Sequence, residues 1–446
     1  MTIPVRSWRL ATAVLAACTN HGPSARPIDE ITAVAPEPQR LDGDPERGYA
    51  ALINGDYISL GIPWSGFEAA MTTLQPEDAL PGRVGDNAKV GFTFNIVTNP
   101  FGMKIAVPNC LSCHARHLGG KVFIGIGTPE HHVNLPSGIA TNAVAIDAGL
   151  VSADEVKEFS QFGDHLLGSQ QAGALMSFGA LASHRDPSTL EWSYVPAFDA
   201  GTDLHGWVDV PPWWRTSRKN ALYYDGSGRG DQVRHMMNMS IFSMSSTAEA
   251  RAIDAMFVDI AAYLRSIQPP RFPYPIDAEL AARGELVFAE TCSRCHGTYG
   301  PSGTYPNLIV PVGEVGTDPG LAMNFWANRD AVDWFNSSFF GQTSRFEPVQ
   351  GYYAPPLDGI WVTAPFFHNG SVPTLAAVLD SSLRTSTWPM AFGDDDFDPD
   401  SVGWRTDHAG EAYDTSQPGL SNRGHTFGDE LDPGDRRALL EYLKTL

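Results

Sequence analysis

The 446-residue chain has only five cysteines, few basic residues for its number of acidic ones, and no long apolar run. No run approaches the roughly 20 apolar residues that span a bilayer. We therefore expect the mature chain to reach a membrane only through an anchor. Lys and Arg number 30 against 51 Asp and Glu, a formal charge of −21. This charge disfavours nucleic acid as a partner because phosphates would be repelled, whereas a basic redox partner protein is compatible with it.

Motifs of the hydrolase classes are also absent. The sequence has no Gly-rich phosphate loop, no nucleophile elbow and no HExxH. Its length is about three times that of a typical domain, so two or more domains are expected. The 43 glycines and 34 prolines predict much irregular backbone, while 43% hydrophobic and 18% charged residues are typical of a folded chain. We therefore predict a folded, loop-rich protein.

Residues 1–18 resemble a bacterial lipoprotein signal. Two arginines precede a short apolar stretch at residues 10–17, and the segment ending in Cys18 has the form of a lipobox, in which that cysteine is lipidated. An ordinary signal peptide with an incidental cysteine is the alternative, because the apolar stretch is short. Either interpretation predicts export to the periplasm or cell envelope. Residues 19–45 then form a Pro-rich tether.

The other four cysteines form the pattern CxxCH twice, in Cys110-Leu-Ser-Cys113-His114 and in Cys292-Ser-Arg-Cys295-His296. Thiols three positions apart lie on nearly one face of a helical turn, where both reach the vinyl groups of one porphyrin. The adjacent histidine then ligates the iron. We predict two covalently bound haem c groups on this basis. Disulfide or zinc fragments are the alternative.

Helix signals surround the second motif in the arrangement of a single-haem cytochrome c. Residues 277–291 carry an apolar stripe that runs into the motif, and Asp432 caps a C-terminal helix. A capping box at residues 246–249 precedes a similar helix that ends the first half. We predict a mainly α fold with long irregular loops and two cytochrome c-like domains, each with one covalent haem c. Their predicted limits are residues 46–270, with a large insertion, and residues 271–446.

Three segments resemble the bacterial superfamily of di-haem cytochrome c peroxidases and rubber oxygenases. They are PLDGIWVTAPFFHNGSVPTL at residues 356–375, WWRTSRKNALYYDGSGRG at residues 213–230 and SNRGHTFG at residues 421–428. The form HNGSVPTL is closer to the rubber-oxygenase branch. The resemblance implies a first haem that uses dioxygen to oxidise an apolar, isoprenoid substrate, with the second haem as electron reservoir. The alternatives are a peroxidase that reduces hydrogen peroxide and an electron carrier without substrate.

For the second haem, the resemblance implies His425 as the distal ligand opposite His296. Two histidines on one iron leave no open position, so this haem would store electrons. His368 resembles the family histidine that hydrogen-bonds a haem propionate. A surface role for His425, and His368 or Met390 as the distal ligand, remain alternatives.

For the first haem, ligated by His114, the sequence indicates no single distal residue. His117, His131 and His132 follow the motif, and we expect this haem to be five-coordinate or weakly ligated. The candidate catalytic residues are Trp213, Trp214, His235 and Phe242. Trp213, Trp214 and Phe242 would form an apolar pocket with Met236, and the tryptophans would wall this pocket or relay electrons between haems. An ordinary packed core is the alternative for all of them.

Alternate carboxylates at residues 394–400 offer a candidate calcium site. Counted from Asp396, Ser401 occupies the position where an EF-hand loop needs glycine. A solvated acidic loop is therefore the preferred interpretation.

Overall fold

The structure is a computed structural model of the chain. It describes residues 30–59, 61–70, 74–99, 101–129, 178–179, 181–200, 208–242 and 244–446. Cys18 with its lipobox, the first part of the tether, and both His131 and His132 lie outside the described residues.

The prediction of a mainly α fold is wrong. Of the described residues, 38% are helical and 15% lie in strands that form several small sheets, so the fold is mixed. Short β-rich segments account for the difference. For example, Phe94–Thr98 pairs antiparallel with Lys104–Pro108, which also pairs with Ile62–Pro63. Each strand is only a few residues long. An alternation or a buried run of β-branched residues over so few positions gives a weak periodic signal in the sequence.

The remaining strands form two- and three-stranded antiparallel arrangements. Thr32–Ala33 and Gly351–Tyr353 flank Leu308–Pro311. The other pairs are Ala115–Leu118 with Lys121–Ile124, Gly228–Gly230 with Ser344–Phe346, Thr387–Met390 with Glu411–Asp414, and Phe397–Asp398 with Gly403–Trp404.

Three helices begin where the sequence predicts, two of them at the predicted caps Ser246 and Asp432. Asp277 caps Ala278–Thr291, Asp432 caps Pro433–Leu443 and Ser246 caps Thr247–Ser266. In each case a side-chain oxygen accepts hydrogen bonds from backbone N–H groups of the first turn, which would otherwise lack partners. These helix starts are confirmed. Further α-helices span Pro45–Asn54, Trp64–Ala70, Leu111–His114, Gln232–Met236, Ser293–His296, Val312–Val315, Gly320–Ala327, Arg329–Ser337 and Leu375–Leu379.

Two core clusters each combine residues from both halves of the chain. The first core cluster includes Leu52 and Phe257 together with Phe335 and Phe340. The second core cluster includes Ile126 and Trp214 from the first half, and its second-half members include Phe288, Trp361 and Leu439. The division at residue 270 stays a prediction, but apolar packing crosses it in both clusters. None of the helices within the described ranges combines the length and apolar character that a bilayer crossing requires.

Gly284 allows the two helices of the second half to approach closely. A Cβ at this position would lie 1.9 Å from the Ala438 carbonyl oxygen and 2.8 Å from the Tyr442 Cβ. Because the obstacle is backbone, we expect Gly284→Ala to destabilise the protein by about 1–3 kcal/mol. Gly66→Ala is the matched control, since an added Cβ there meets nothing within 4 Å. Urea unfolding of both variants measures the difference, and equal midpoints for Gly284→Ala and wild type would contradict the close approach.

Candidate functional site

The first CxxCH motif forms a single helical turn. Leu111–His114 is helical, and the His114 N–H donates to the Cys110 carbonyl at 3.1 Å. The Asn109 side chain accepts from the Leu111 N–H at 2.9 Å, which starts the turn. The turn therefore carries both thiols and the imidazole within one short, anchored segment.

The His114 imidazole is half-buried and neutral. Its ring stacks on Trp213, with 4.4 Å between ring centres and 20° between planes. Burial lowers the pKa of His114 to about 3, although the Pro211 carbonyl opposes this shift. The Nδ1 atom of His114 has no hydrogen-bond partner within the described part of the chain. The Pro211 carbonyl is therefore near the ring without forming a hydrogen bond to Nδ1. A neutral imidazole keeps a lone pair for a metal.

The second motif repeats this arrangement with better-defined geometry. Helix Ala278–Thr291 runs directly into Cys292, and Ser293–His296 forms the next turn. The His296 Nδ1 lies 2.8 Å from the Pro355 carbonyl oxygen. Because a carbonyl only accepts, Nδ1 carries the proton and Nε2 keeps its lone pair. Burial lowers the pKa of His296 as well, so this ring is also neutral.

The imidazole ring of His425 lies close to that of His296. The two ring centres are 6.2 Å apart, with 55° between the planes. A metal–imidazole bond of about 2 Å on each side, plus about 1 Å from ring centre to nitrogen, gives about 6 Å between two trans imidazoles. Burial, and secondarily the neighbouring His296, lowers the pKa of His425 to about 4. The two neutral imidazoles therefore fit one iron between them.

Arg384 holds the loop that carries His425. Its guanidinium donates to the carbonyl oxygens of Asn422, Gly424 and His425 at 2.9, 2.6 and 3.2 Å. It also donates to the carbonyls of Ala377 and Val378, and so ties the loop to helix Leu375–Leu379.

Two backbone contacts complete this support. The His425 N–H donates to the Val315 carbonyl at 2.6 Å, and residue 425 has a φ of 45°. A Cβ at Gly424 would lie 2.1 Å from the Gly316 carbonyl carbon. The loop is therefore packed against residues 315–317 and has little room to shift.

The four motif cysteines form no disulfide and are partly buried, and Cys110 and Cys292 pack against the two core clusters. Burial raises the pKa of Cys110 to about 12, of Cys113 to about 11 and of Cys292 to about 12. A zinc site or a redox dithiol needs thiolates, which these environments disfavour. A thioether to a porphyrin is neutral and suits the same environments. The cysteines and histidines thus fit haem c better than a zinc site.

His368 and Met390 lie in other surroundings. The His368 ring stacks on Tyr352 with 4.1 Å between centres, its carbonyl accepts from the Asp209 N–H, and burial lowers its pKa to about 3. Met390 ends a strand paired with Glu411–Asp414. The structure therefore brings His425, and not these two residues, into ring contact with His296. The proposed propionate contact of His368 stays a prediction.

The candidate catalytic residues separate into two groups. Trp213 and Trp214 begin the short helix Trp213–Arg218, where Trp213 packs on His114 and the Trp214 indole N–H donates to the Asp358 carbonyl at 2.7 Å. His235 packs on Phe335 within the first core cluster, and its Nε2 lies 3.0 Å from the Arg229 carbonyl. The tryptophans are thus close to a CxxCH motif, whereas His235 has the contacts of a core histidine.

Three other candidates from the sequence are Phe242, His117 and the acidic segment at residues 394–400. Phe242 ends the helix Asn238–Phe242, and its side chain lies outside the described part. The His117 Nε2 lies 3.1 Å from Asp78 Oδ1 on a partly exposed strand. In the acidic segment, Asp396 accepts from the Gly393 N–H and Asp398 from the Asp400 N–H. These carboxylates cap local turns, so the calcium alternative gains no support. Among the described residues, no cluster of three or more His, Cys, Asp or Glu is arranged to hold a metal ion.

The carbonyls beside the two motif histidines were not predicted from the sequence. They belong to Pro211 and Pro355, and each is the first residue of a Pro-Pro pair. This repeated pair is the signal that sequence reasoning could have used. Arg384 was missed as well, since nothing local distinguishes it from a surface arginine.

Comparison with known proteins finds relatives of part of the chain. It is similar to two proteins of Sinorhizobium fredii (strain NBRC 101917 / NGR234), uncharacterized protein y4iJ and uncharacterized protein y4iM. The first is 31% identical over 328 residues, covering 54% of this chain and 54% of the relative. The second is 26% identical over 289 residues, covering 53% and 64%. The chain thus spans about half to two thirds of the length of these relatives.

A family model described as RoxA-like, cytochrome c-like matches residues 351–389. The matched segment contains Pro355, His368 and Arg384. Such a domain implies covalently bound haem c and supports a cytochrome-type oxidoreductase. Residues 351–389 therefore carry a RoxA-like, cytochrome c-like domain.

Proposed function

We propose that the chain is an exported di-haem c-type oxidoreductase, with one haem bound at each CxxCH motif. The observation that carries this proposal is the pair of half-buried, neutral imidazoles of His296 and His425, whose ring centres are 6.2 Å apart, next to Cys292 and Cys295 of the motif. Haem c bound at the two motifs supplies one-electron redox chemistry, with dioxygen as the oxidant at the first.

The second site has the features of an electron reservoir. His296 and His425 would both ligate the iron of a haem bound here, which would leave no position for a substrate. The Pro355 carbonyl orients His296, and Arg384 holds the loop of His425. A preformed pair of ligands requires little rearrangement when the charge on the metal changes.

The first site differs in the part that the structure describes. The ring packed on His114 is Trp213, an indole that cannot act as an axial ligand. Trp213 fixes the orientation of the imidazole and shields it from water. The Pro-Pro pair at residues 211–212 corresponds to that at residues 355–356, which supports one haem in each half. We propose this site as the one that reacts with dioxygen.

The substrate and location are further parts of the proposal. An apolar isoprenoid substrate, cleaved oxidatively at a C=C bond, rests on the resemblance to rubber oxygenases. Export with lipidation at Cys18 rests on the lipobox. The charge of −21 suits a basic protein as electron donor or acceptor.

An assay of the mature protein with an oligo-isoprenoid tests this proposal. We expect dioxygen consumption with formation of carbonyl products, and no acceleration by hydrogen peroxide. Rapid peroxide reduction with a reduced cytochrome would instead establish the peroxidase alternative. Two low-spin haems that are inert to carbon monoxide and to both oxidants would leave only an electron carrier and would refute the oxygenase proposal.

A further inference from the structure

A small cavity is lined by the two prolines whose carbonyls approach the motif histidines. They are Pro211 and Pro355. Arg215 and Lys219 contribute two cationic side chains, and tyrosines complete the wall. Both cations belong to the WWRTSRK segment, whose tryptophans the proposed function uses but whose charges it does not.

The Arg215 guanidinium is buried and only partly satisfied. The residue is 6% exposed. Its Nε donates to the Asp358 carbonyl at 3.0 Å, whereas Nη2 is buried and has no hydrogen-bond partner in the described ranges. An unpartnered N–H of a buried cation is costly, and such groups are normally paired.

Lys219 adds a second positive charge to the same cavity. Its ammonium lies 5.2 Å from the centre of the Tyr353 ring. Burial, and secondarily the repulsion of Arg215, lowers the pKa of Lys219 to about 8. At neutral pH two like charges therefore share an enclosed space.

Each nearby carboxylate contacts another group through one oxygen, while the second oxygens of Asp225 and Asp358 are buried without a hydrogen-bond partner in the described ranges. Asp358 Oδ1 pairs with Arg218 at 3.2 Å, and Asp209 Oδ2 accepts from the Tyr224 hydroxyl at 2.9 Å. Asp225 Oδ1 accepts from Ser227. No ion pair of the described part of the chain includes Arg215 or Lys219, so both cations line the cavity without a direct carboxylate partner.

We propose that this cavity binds carboxylate groups through Arg215 and Lys219. The planar guanidinium of arginine matches a carboxylate, and lysine adds a point charge. Haem propionates are one source, since the cavity adjoins both motif histidines through Pro211 and Pro355; this source rests on the proposed function. A free small carboxylate is the other source with the same chemistry.

Reduction potentials of the mature protein test the site. We expect Arg215→Gln and Lys219→Met each to lower the midpoint potential of at least one haem, because a lost positive charge favours the ferric state. A tenfold change in the redox equilibrium, the size we expect, corresponds to about 59 mV for one electron. Arg218→Gln is the matched control: it removes the same charge from the same helix, but its side chain pairs with Asp358 and is absent from the cavity lining.

A titration with acetate separates the two sources. Potentials of the wild type that are independent of acetate identify propionates, and potentials that follow the acetate concentration identify a free carboxylate. If Arg215→Gln does not accumulate, Arg215→Lys, which keeps the charge, should retain the wild-type potentials while Lys219→Met still lowers them. The proposal would be overturned if the midpoint potentials of Lys219→Met, of Arg218→Gln and of the wild type were equal at every acetate concentration.

The number of haems per chain distinguishes a failure of this proposal from a failure of the proposed function. A mature protein without haem would refute the proposed function alone. Acetate binding to that chain, followed by the fluorescence of its aromatic residues, would then test whether the cavity binds carboxylates. Saturable binding that Lys219→Met weakens would support the proposal, and no binding would overturn it.

Discussion

Replacement of both Cys292 and Cys295 by serine should remove one haem and halve the Soret absorbance of the mature protein. A serine hydroxyl forms no thioether, so the covalent bond is lost. The imidazoles of His296 and His425 alone would hold a tetrapyrrole only reversibly. Intact-mass measurement should show the loss of one tetrapyrrole per chain, and the Cys110→Ser, Cys113→Ser variant should lose the other.

Ser293→Ala is the matched control for the cysteine variant. Ser293 lies within the same motif, and its hydroxyl donates to the Ala289 carbonyl of the preceding helix. This variant keeps both thiols and should retain the full haem content. A serine variant at the two cysteines with unchanged mass and absorbance would refute a haem site in the second half.

The variant His425→Gly should open one axial position of the second haem. Glycine is the appropriate replacement because residue 425 has a φ of 45°, which glycine adopts without strain. We expect loss of the low-spin signal in electron paramagnetic resonance and binding of one additional carbon monoxide per reduced chain. Added imidazole should restore the low-spin signal by filling the vacated position.

Two further variants define the role of the surrounding loop. Arg384→Gln should give an intermediate spin-state mixture, because it removes the donors that hold the carbonyls of residues 422, 424 and 425. Arg436→Gln is its control, since that nearby arginine pairs with Asp380 and does not contact the loop carbonyls. A His425→Gly protein that stays low-spin and inert to carbon monoxide would mean that another side chain ligates the iron.

Local signals were predictable from the sequence. The caps at Asp277, Ser246 and Asp432 each depend on a side chain and the next few N–H groups, so adjacent residues contain the information. The CxxCH turns are local in the same sense. The short strands were not predictable, because a segment such as Ile62–Pro63 is a strand only through its distant partner Lys104–Pro108.

The candidate site was predictable only in part. The motif at residues 421–428 indicates His425, but its distance from His296 depends on Arg384, Val315 and Gly424, which no sequence spacing relates to it. His235 illustrates the opposite case. It is one of several unusual residues in sequence, yet its contacts with Phe335 and Arg229 belong to ordinary core packing.

The shared core clusters affect the order of events when the protein is made. Residues such as Leu52 and Phe335 meet only after nearly three hundred intervening residues have emerged, and contacts of such long sequence separation slow folding. Cys110 and Cys292 pack against these two clusters. Attachment of the proposed haems to these thiols would therefore be easiest before the two halves have packed together.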